Sequence, residues 1–294
     1  MNIEIENASL GYKAVLSFVH RRIQLNKNCI IVVNGATVSG KSYASLKLAQ
    51  DLSLLNDRPF TIKDNVAFNF ETLLKQIKSG NEDDDSAGRV FVFEEVGSYG
   101  SGAAARQWQG KLNMFFNSFL QTARHRRQVF ILNCPFFSNL DSASRKLCHL
   151  QIEAQGFNPA SLLGFLKVYR IQTNTRDEKM YFKYLRVVNN SSKSKVRGVK
   201  IQLAEKKLLR EYESVKKDFT NKLNSVLESE IEKSNKPKEK GHVNSKFHLY
   251  SSEKDIELKK TGLLDEQIAT IFGVKRVSLY KYRRIVKAKL TVEP

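Results

Sequence analysis

One stretch near the N-terminus restricts the fold more than any other part of the chain. Four aliphatic β-branched residues, 30–33, lead into a loop bounded by glycines, and a segment with helical periodicity follows. The loop, residues 35–42, fits the pattern G-x-x-x-x-G-K-[ST] without a mismatch. A buried parallel strand is therefore expected to enter a phosphate-binding loop, and the next helix would direct the positive end of its dipole at the bound anion.

The pattern assigns a role to individual loop residues. Lys41 is expected to reach the β- and γ-phosphates of a nucleotide, and Ser42 to bind Mg²⁺, so ATP and Mg²⁺ are the predicted cofactors. Backbone N–H groups of the loop would surround the phosphate oxygens. The predicted nucleotide-binding residues are Gly35, Ala36, Thr37, Val38, Ser39, Gly40, Lys41, Ser42 and Tyr43. The alternative is a glycine loop that closes a strand–helix unit without a nucleotide.

Two adjacent carboxylates follow the next apolar run. Residues 90–93 are typical of a buried parallel strand, and Glu94 and Glu95 come directly after it. In an open α/β sheet, ligands bind at the carboxyl ends of the strands. Glu94 is therefore expected to hold Mg²⁺, directly or through water, and Glu95 to polarise the water that attacks the γ-phosphate.

A third strand ends in a polar residue. Residues 129–132 are apolar, and Asn133 follows them, where its amide would sense the γ-phosphate and position water. The alternative is an asparagine that only caps the strand end. A basic cluster formed by Arg124, Arg126 and Arg127 precedes this strand.

In this order, the loop, the two glutamates, the basic cluster, Asn133 two residues before Pro135, and Arg145 resemble the HerA/FtsK superfamily of P-loop motor ATPases, which pump or unwind DNA. The resemblance spans residues 28–155 and is to small archaeal and viral members, including packaging-type and Zot-like ATPases. It implies a RecA/ASCE-like α/β fold, in which helices cover both faces of a mostly parallel sheet. It also implies a homo-oligomeric ring, usually a hexamer, in which an arginine acts on the neighbouring subunit's nucleotide. Arg124, Arg126 and Arg127 are the nearest matches to this arginine. The resemblance does not choose among them, and the alternative for some of the three is contact with DNA or helix ends.

The charge distribution predicts a polyanionic partner. The net charge is +19, of which residues 1–150 carry +5 and residues 151–294 carry +14. Nucleic acid is the simplest partner for this excess, and surface charge that only maintains solubility is the alternative. The three cysteines have no paired spacing, which favours a reducing compartment. No signal peptide and no apolar run of eighteen residues is visible, so the sequence predicts a cytoplasmic protein, in the host cytoplasm if it is viral.

The organisation of the chain is predicted from its composition. A P-loop domain is expected over residues 1–190 and includes a basic hairpin at 164–187, which either edges the sheet or contacts nucleic acid. Residues 189–197 are polar and serine-rich, as in a linker. An amphipathic helix is expected over 198–234, packed on the motor or paired between subunits. A flexible linker, 235–250, would lead to a small all-α domain, 251–294.

This last domain resembles the helix-turn-helix of resolvases and homeodomain-like proteins. Gly273 would turn the chain, and Leu279 would face the core. The predicted contacts to double-stranded DNA are Lys275, Arg276, Ser278, Tyr280, Lys281, Arg283 and Arg284. The alternative is a basic three-helix domain that binds protein.

Together these features predict a DNA-stimulated ATPase of the HerA/FtsK type that translocates, packages or transfers the DNA of a virus or mobile element. A nucleotide-switched DNA-binding regulator, or a partition-like adaptor without translocation, is the first alternative. A Zot-like ATPase that assembles virions is the second.

Overall fold

The computed structural model describes residues 8–79, 87–94, 118, 126–189, 192–235 and 250–290. The chain divides into two compact units, residues 1–222 and 223–294. Each unit is described below by itself.

An eight-stranded sheet forms the centre of the first unit, in the order β10-β6-β5-β1-β4-β3-β2, with β7 paired to β6. The pairs β2–β3, β3–β4, β4–β1 and β1–β5 are parallel, and the pairs that β6 makes with β5, β7 and β10 are antiparallel. The expectation of an α/β fold with a mostly parallel sheet is confirmed. The sheet strands are β1 Cys29–Asn34, β2 Val66–Ala67, β3 Val90–Phe93, β4 Val129–Cys134, β5 Leu150–Asn158, β6 Leu163–Thr173, β7 Met180–Tyr184 and β10 Val199–Gln202.

Both faces of the sheet are buried, which explains why its central strands are almost continuously apolar. Ile31 and Val33 of β1 point into one core, and Ile30 and Val32 point into the other. The helices of this unit are α1 Leu10–Gln24, α2 Lys41–Leu55, α3 Ile62–Asn65, α4 Phe70–Lys78, α5 Ser142–Leu147 and the start of α6 Lys206–Asn235, and Phe137–Asn139 form a 3₁₀ turn. Side chains of α1, α2 and α6 pack in the first core, and side chains of α4 pack in the second.

The basic hairpin of the sequence consists of β6 and β7, which pair from Tyr169↔Tyr184 to Thr173↔Met180. It continues the central sheet, because β6 also pairs with β5. The segment expected as a polar linker instead contains a small hairpin of β8 Arg186–Asn189 and β9 Ser192–Lys195. Two buried apolar residues, Leu185 and Val196, flank this hairpin, and the carbonyl of Leu185 accepts a hydrogen bond from the backbone N–H of Val196. Because these two residues hold the ends of the hairpin together, the segment forms strands although its composition is polar.

The long helix α6 begins later than expected, because β10 occupies residues 199–202. Its first turns belong to the P-loop unit, where Leu208 and Tyr212 are buried in the first core. The first unit therefore extends beyond residue 190 to residue 222.

The described part of the second unit contains the end of α6 and three further helices, α7 Ser252–Lys260, α8 Asp265–Ile271 and α9 Arg276–Leu290. Ile268, Ala269, Phe272 and Leu279 form its core. Gly273 has a φ of 61° in the turn between α8 and α9, where a residue with a β-carbon would be strained.

Candidate functional site

The glycine-bounded loop lies between the carboxyl end of β1 and the start of α2. The backbone N–H of Gly35 donates to the carbonyl of Pro135, 3.2 Å away, which ties the loop to the end of β4. Gly40 has a φ of 83° directly before α2, so the chain turns there in a conformation that glycine adopts at little cost. Val38 is also left-handed, with a φ of 65°, although it is β-branched and 92% exposed. Such conformations are costly, and they cluster where loops bind ligands.

Gly35 is required because no space is left for a side chain. A β-carbon at this position would lie 2.6 Å from the carbonyl oxygen of Ala154 and 2.8 Å from Oγ of Ser39. The loop backbone at Gly35 therefore lies so close to β5 that only glycine fits there. This close packing of β5 against the loop restricts the path of the loop backbone.

Lys41 begins α2 and turns its side chain back into the loop. Its Nζ donates to the carbonyl oxygens of Gly35 and Ala36, both at 2.8 Å. The ammonium is therefore held inside the curve of the loop, where the sequence predicts phosphate. Since the first backbone N–H groups of α2 point in the same direction and carry the positive end of the helix dipole, both features favour an anion.

A chain of hydrogen bonds joins the strand ends to α2. Ser42 Oγ donates to Glu94 Oε2 at 3.1 Å, and Asn133 Nδ2 donates to Glu94 Oε1 at 2.8 Å. Ser45 Oγ completes the chain by donating to Asn133 Oδ1 at 2.5 Å. Neighbouring parallel strands bring Glu94 and Asn133 together, because Phe93 of β3 is in register with Leu132 of β4. The structure thus brings the predicted site residues Ser42, Glu94 and Asn133 into contact.

Glu94 is almost fully buried, at 2% exposure. Burial raises the pKa of its carboxyl above the ordinary value, because the charged form loses its hydration. The hydrogen bond from Asn133 opposes this rise, as do the charge of Lys216 and the hydrogen bond from Ser42. The carboxylate is thus placed where a cation would compensate for its lost hydration.

Sequence analysis missed the part of this site that α6 contributes. A cavity of about 410 Å³ lies over the loop, and Glu213 and Lys216 of α6 line it. The other described lining residues are Thr37, Val38, Ser39, Gly40, Lys41, Ser42, Tyr43, Glu94, Asn133, Cys134, Pro135 and Phe157. Tyr43, predicted as a nucleotide contact, donates its hydroxyl to Glu213 at 3.0 Å. Tyr212 lies on the apolar face of the amphipathic helix that the sequence predicts over 198–234. No pattern in the sequence connects that face to the glycine-bounded loop.

Tyr212 carries a buried polar group close to Glu94. Its side chain is fully buried, and its hydroxyl lies close to Glu94 and Ser42 without meeting full hydrogen-bond geometry to a described residue. Burial raises the pKa of this phenol, and the nearby Glu94 charge raises it further. Tyr212 therefore adds a polar group to the neighbourhood of Ser42 and Glu94.

The donors around Ser42 fit Mg²⁺ held together with a phosphate. Mg²⁺ is usually bound by one or two carboxylates, several waters and substrate phosphates. Ser42 and Glu94 supply a hydroxyl and a carboxylate, and the described residues contain no group of three or more His, Cys, Asp or Glu side chains that could hold a metal alone. Phosphate oxygens and waters would be the usual further ligands of such a cation.

Arg126 and Arg127, two of the three arginines predicted to act on a nucleotide, are not among the described residues that line the cavity. Arg126 and Arg127 precede β4 and so lie at the amino edge of the sheet, opposite the loop. Arg127 Nη1 donates to Asn26 Oδ1 at 3.1 Å, and Asn26 precedes β1 at the same edge. Glu95 and Arg124 lie outside the described residues.

The predicted DNA contacts divide into two groups. Lys275, Arg276, Tyr280, Lys281 and Arg284 are exposed, and Ser278 is half-buried. Arg283 differs from the expectation: its guanidinium lies 2.5 Å from Asp255 and 2.7 Å from Asp265. The Arg283 hydrogen bond is the main cause of the lowered pKa of Asp255. Arg283 therefore holds the three helices together, and it no longer belongs among the groove-facing residues.

Comparisons with known proteins add little to this geometry. No protein-family model matches the sequence, and a search of curated proteins found no match. Among solved structures, the chain is similar to the N-terminal domain of zonular occludens toxin from Neisseria meningitidis, with a TM-score of 0.32 and 13% identity. The match covers 54% of this chain and 95% of that domain. At this TM-score the likeness carries no inference, and the HerA/FtsK resemblance stays a prediction. None of the helices in the described part of the chain is both long and apolar enough to cross a membrane.

Proposed function

We propose that this protein is an ATP-hydrolysing enzyme whose first unit binds Mg²⁺ and ATP at the carboxyl edge of its sheet. The observation that supports this most directly is the convergence of Lys41, Ser42, Glu94 and Asn133 on one cavity of about 410 Å³. These residues come from three separate segments, so their meeting is not a consequence of one local motif. Bound ATP would supply the phosphoanhydride bond that is cleaved, and bound Mg²⁺ would act as a Lewis acid on its phosphate oxygens.

The side chains of the site would then have distinct roles. Lys41 would neutralise phosphate charge from inside the loop, and Ser42 with Glu94 would hold the cation. Asn133 would keep the Glu94 carboxylate in place through its 2.8 Å hydrogen bond. Glu95 remains the proposed residue that orients and deprotonates water, on the basis of its place after Glu94.

Lys216 adds a second cation to the same cavity. It lines the cavity from α6, and its charge lowers the pKa of Glu94. We propose that its ammonium contacts the phosphates of the nucleotide, because Lys41 and Lys216 are the two cations that line the cavity among its described residues, beside the buried Glu94 and the exposed Glu213. This ammonium lies over the ring of Tyr212, 5.6 Å from the ring centroid, in a cation–π contact.

The enzyme is further proposed to act on double-stranded DNA as a cytoplasmic, ring-forming motor of the HerA/FtsK type. Support comes from the net charge of +19 and from five exposed predicted DNA-contact residues on and before α9. The three-helix unit would recruit the motor to DNA by raising its effective concentration there.

The test measures ATP binding and turnover of the full chain, with and without duplex DNA and over a range of protein concentrations. Lys41→Ala should lose most ATP affinity, whereas Lys63→Ala, which removes an exposed lysine far from the cavity, should bind normally. Glu95→Gln should bind ATP but turn it over more slowly by orders of magnitude.

Normal ATP binding by Lys41→Ala would overturn the assignment of the loop. ATP binding by the wild-type chain without turnover, even with DNA, would replace the motor by a nucleotide-switched regulator. Turnover that DNA does not stimulate would leave an ATPase and remove the proposed DNA motor.

A further inference from the structure

A second concave surface lies on the first unit, away from the ATP cavity. It has a volume of about 570 Å³ and is formed by α1, the segment after α1, β6 and the start of β8. It shares none of its described lining residues with the ATP cavity. Lys27 precedes β1, and Arg170 pairs with Leu150 at the start of β5, so this surface lies toward the amino edge of the parallel strands.

The surface combines basic and apolar side chains, and we call it the basic groove. None of its described lining residues is acidic. The cations that line it are Lys13, Arg21, Arg22, Lys27, Arg170 and Arg186. Leu10, Ala14, Phe18, Leu25, Leu185 and Val187 supply the apolar part. Six cations without a carboxylate among them repel one another, and a bound polyanion would relieve that repulsion.

Most of these cations are available to a ligand. Arg21, Lys27, Arg170 and Arg186 are exposed. Over the described ranges, no ion pair within 4 Å joins any of these four to a carboxylate. Within the described part of the chain, acidic side chains therefore do not neutralise these four charges.

Two of the arginines are held in place by the groove itself. Arg22 Nε donates to the carbonyl of Asn28 at 3.0 Å, which fixes the direction of its guanidinium. The guanidinium of Arg170 lies over the ring of Phe18, 5.7 Å from its centroid. Burial lowers the pKa of Arg22, and the charge of Arg170 lowers it further, as expected when cations are crowded together. Fixed guanidinium groups lose less entropy when they bind a ligand.

We propose that the basic groove binds the phosphodiester backbone of nucleic acid. Four of its six cations are arginines, whose planar guanidinium groups match phosphate oxygens in pairs. The cations come from separate elements, as is needed to contact successive phosphates. The apolar side chains of the groove can pack against sugars and bases. The net charge of +19 favours the same class of partner over an acidic protein, since nucleic acid carries one charge at every phosphate.

This contact would be additional to the one predicted for the second unit. A motor that works on DNA needs nucleic acid at the unit that hydrolyses ATP, and the groove supplies such a contact on that unit. Its cations lie in α1, β6 and the segments beside them, so it does not depend on the ATP-binding loop. Substitutions in the groove should therefore weaken nucleic-acid binding without weakening ATP binding, and substitutions in the loop should do the reverse.

The test compares two triple variants of the full chain that remove the same charge. One is Arg21→Ala, Lys27→Ala and Arg186→Ala in the groove. The matched control is Lys63→Ala, Lys75→Ala and Lys78→Ala, three exposed lysines outside the groove. Both are made in the wild-type chain and in a chain that already carries Lys275→Ala, Arg276→Ala and Lys281→Ala, which removes predicted contacts of the second unit. Thermal melting checks that each variant is folded.

Binding is measured by fluorescence anisotropy with a labelled random-sequence duplex and with one of its strands, over a series of salt concentrations. The groove variant should bind about tenfold more weakly or worse at about 0.1 M salt, and its slope of log affinity against log salt should be shallower by about 2 to 3. The control should change affinity by less than about threefold. The larger loss, on duplex or on single strand, identifies the form of nucleic acid that the groove takes.

Equal losses in the groove variant and the control would overturn the proposal, because binding would then follow net charge alone. Unchanged nucleic-acid binding by the groove variant would overturn it as well. If polyglutamate bound to the wild-type chain and not to the groove variant, while nucleic-acid binding stayed the same, the groove would instead be a site for an acidic protein.

Discussion

Replacing Gly35 by alanine should damage both the fold and nucleotide binding. The new β-carbon would lie 2.6 Å from the carbonyl oxygen of Ala154, whereas an ordinary contact of this kind is 3.4 Å or longer. The loop and β5 would have to separate by most of an ångström, since neither atom belongs to a flexible side chain. Forced overpacking of this kind costs about 1–3 kcal/mol, and a rigid backbone neighbour places this case at the upper end.

The chain offers a matched control at Gly156. Its φ is 156°, the same as that of Gly35, but a β-carbon there would meet nothing within 4 Å. The cost of placing alanine at this φ is therefore shared by both variants, and the clash at Gly35 is the main difference between them. For a unit of this size, about 3 kcal/mol lowers the melting temperature by roughly 6–12 °C.

Thermal melting and ATP titration of the two variants would check this reasoning. Gly35→Ala should melt several degrees below Gly156→Ala and bind ATP at least about tenfold more weakly, because the phosphate-binding curve is displaced. Equal melting temperatures would refute it, since the close approach of the loop to β5 would then not constrain either segment.

Two further predictions concern the charges in the site. Glu94→Gln should unfold less readily than wild type at neutral pH, by about 1 kcal/mol or more, because the neutral amide removes a buried charge. Burial raises the pKa of Glu94, so wild-type stability is retained below the ordinary carboxyl pKa and lost as pH rises through the raised value; urea unfolding should therefore show the gain at pH 7–8 and not near pH 4. Lys216→Gln should weaken ATP binding about tenfold by calorimetry, whereas Lys217→Gln, exposed on the neighbouring position of α6, should leave it unchanged, and equal affinities would remove Lys216 from the site.

The part of the site that the sequence predicts is the part built from parallel strand ends. A phosphate-binding loop, a buried strand and a polar strand end each have a local pattern. Parallel pairing then forces Glu94 and Asn133 to neighbouring positions at one edge of the sheet. The structure adds the 2.8 Å hydrogen bond between them, which no sequence pattern specifies.

The contribution of α6 could not be predicted for a physical reason. The periodicity of Leu208 and Tyr212 shows that one helical face is buried, but it is silent about which surface buries it. Strand β5 was not predicted either, because its sequence mixes apolar residues with Gln151 and Glu153. At Arg283, local basic composition indicated a groove contact, whereas Asp255 and Asp265 from two other helices determine its orientation.

The position of the arginines decides how the transition-state charge can be stabilised. Arg126 and Arg127 precede β4, and the six residues of β4 separate them from the end that carries Asn133, a distance of about 20 Å. These arginines therefore cannot act on the nucleotide of their own chain, where Lys41 and Lys216 are the cations lining the cavity among its described residues. They would reach a nucleotide only if the amino edge of one sheet faced the carboxyl edge of another, which is the head-to-tail contact of a ring. Turnover that rises with protein concentration would indicate that such a contact is needed, whereas turnover independent of concentration would mean that the two lysines are enough.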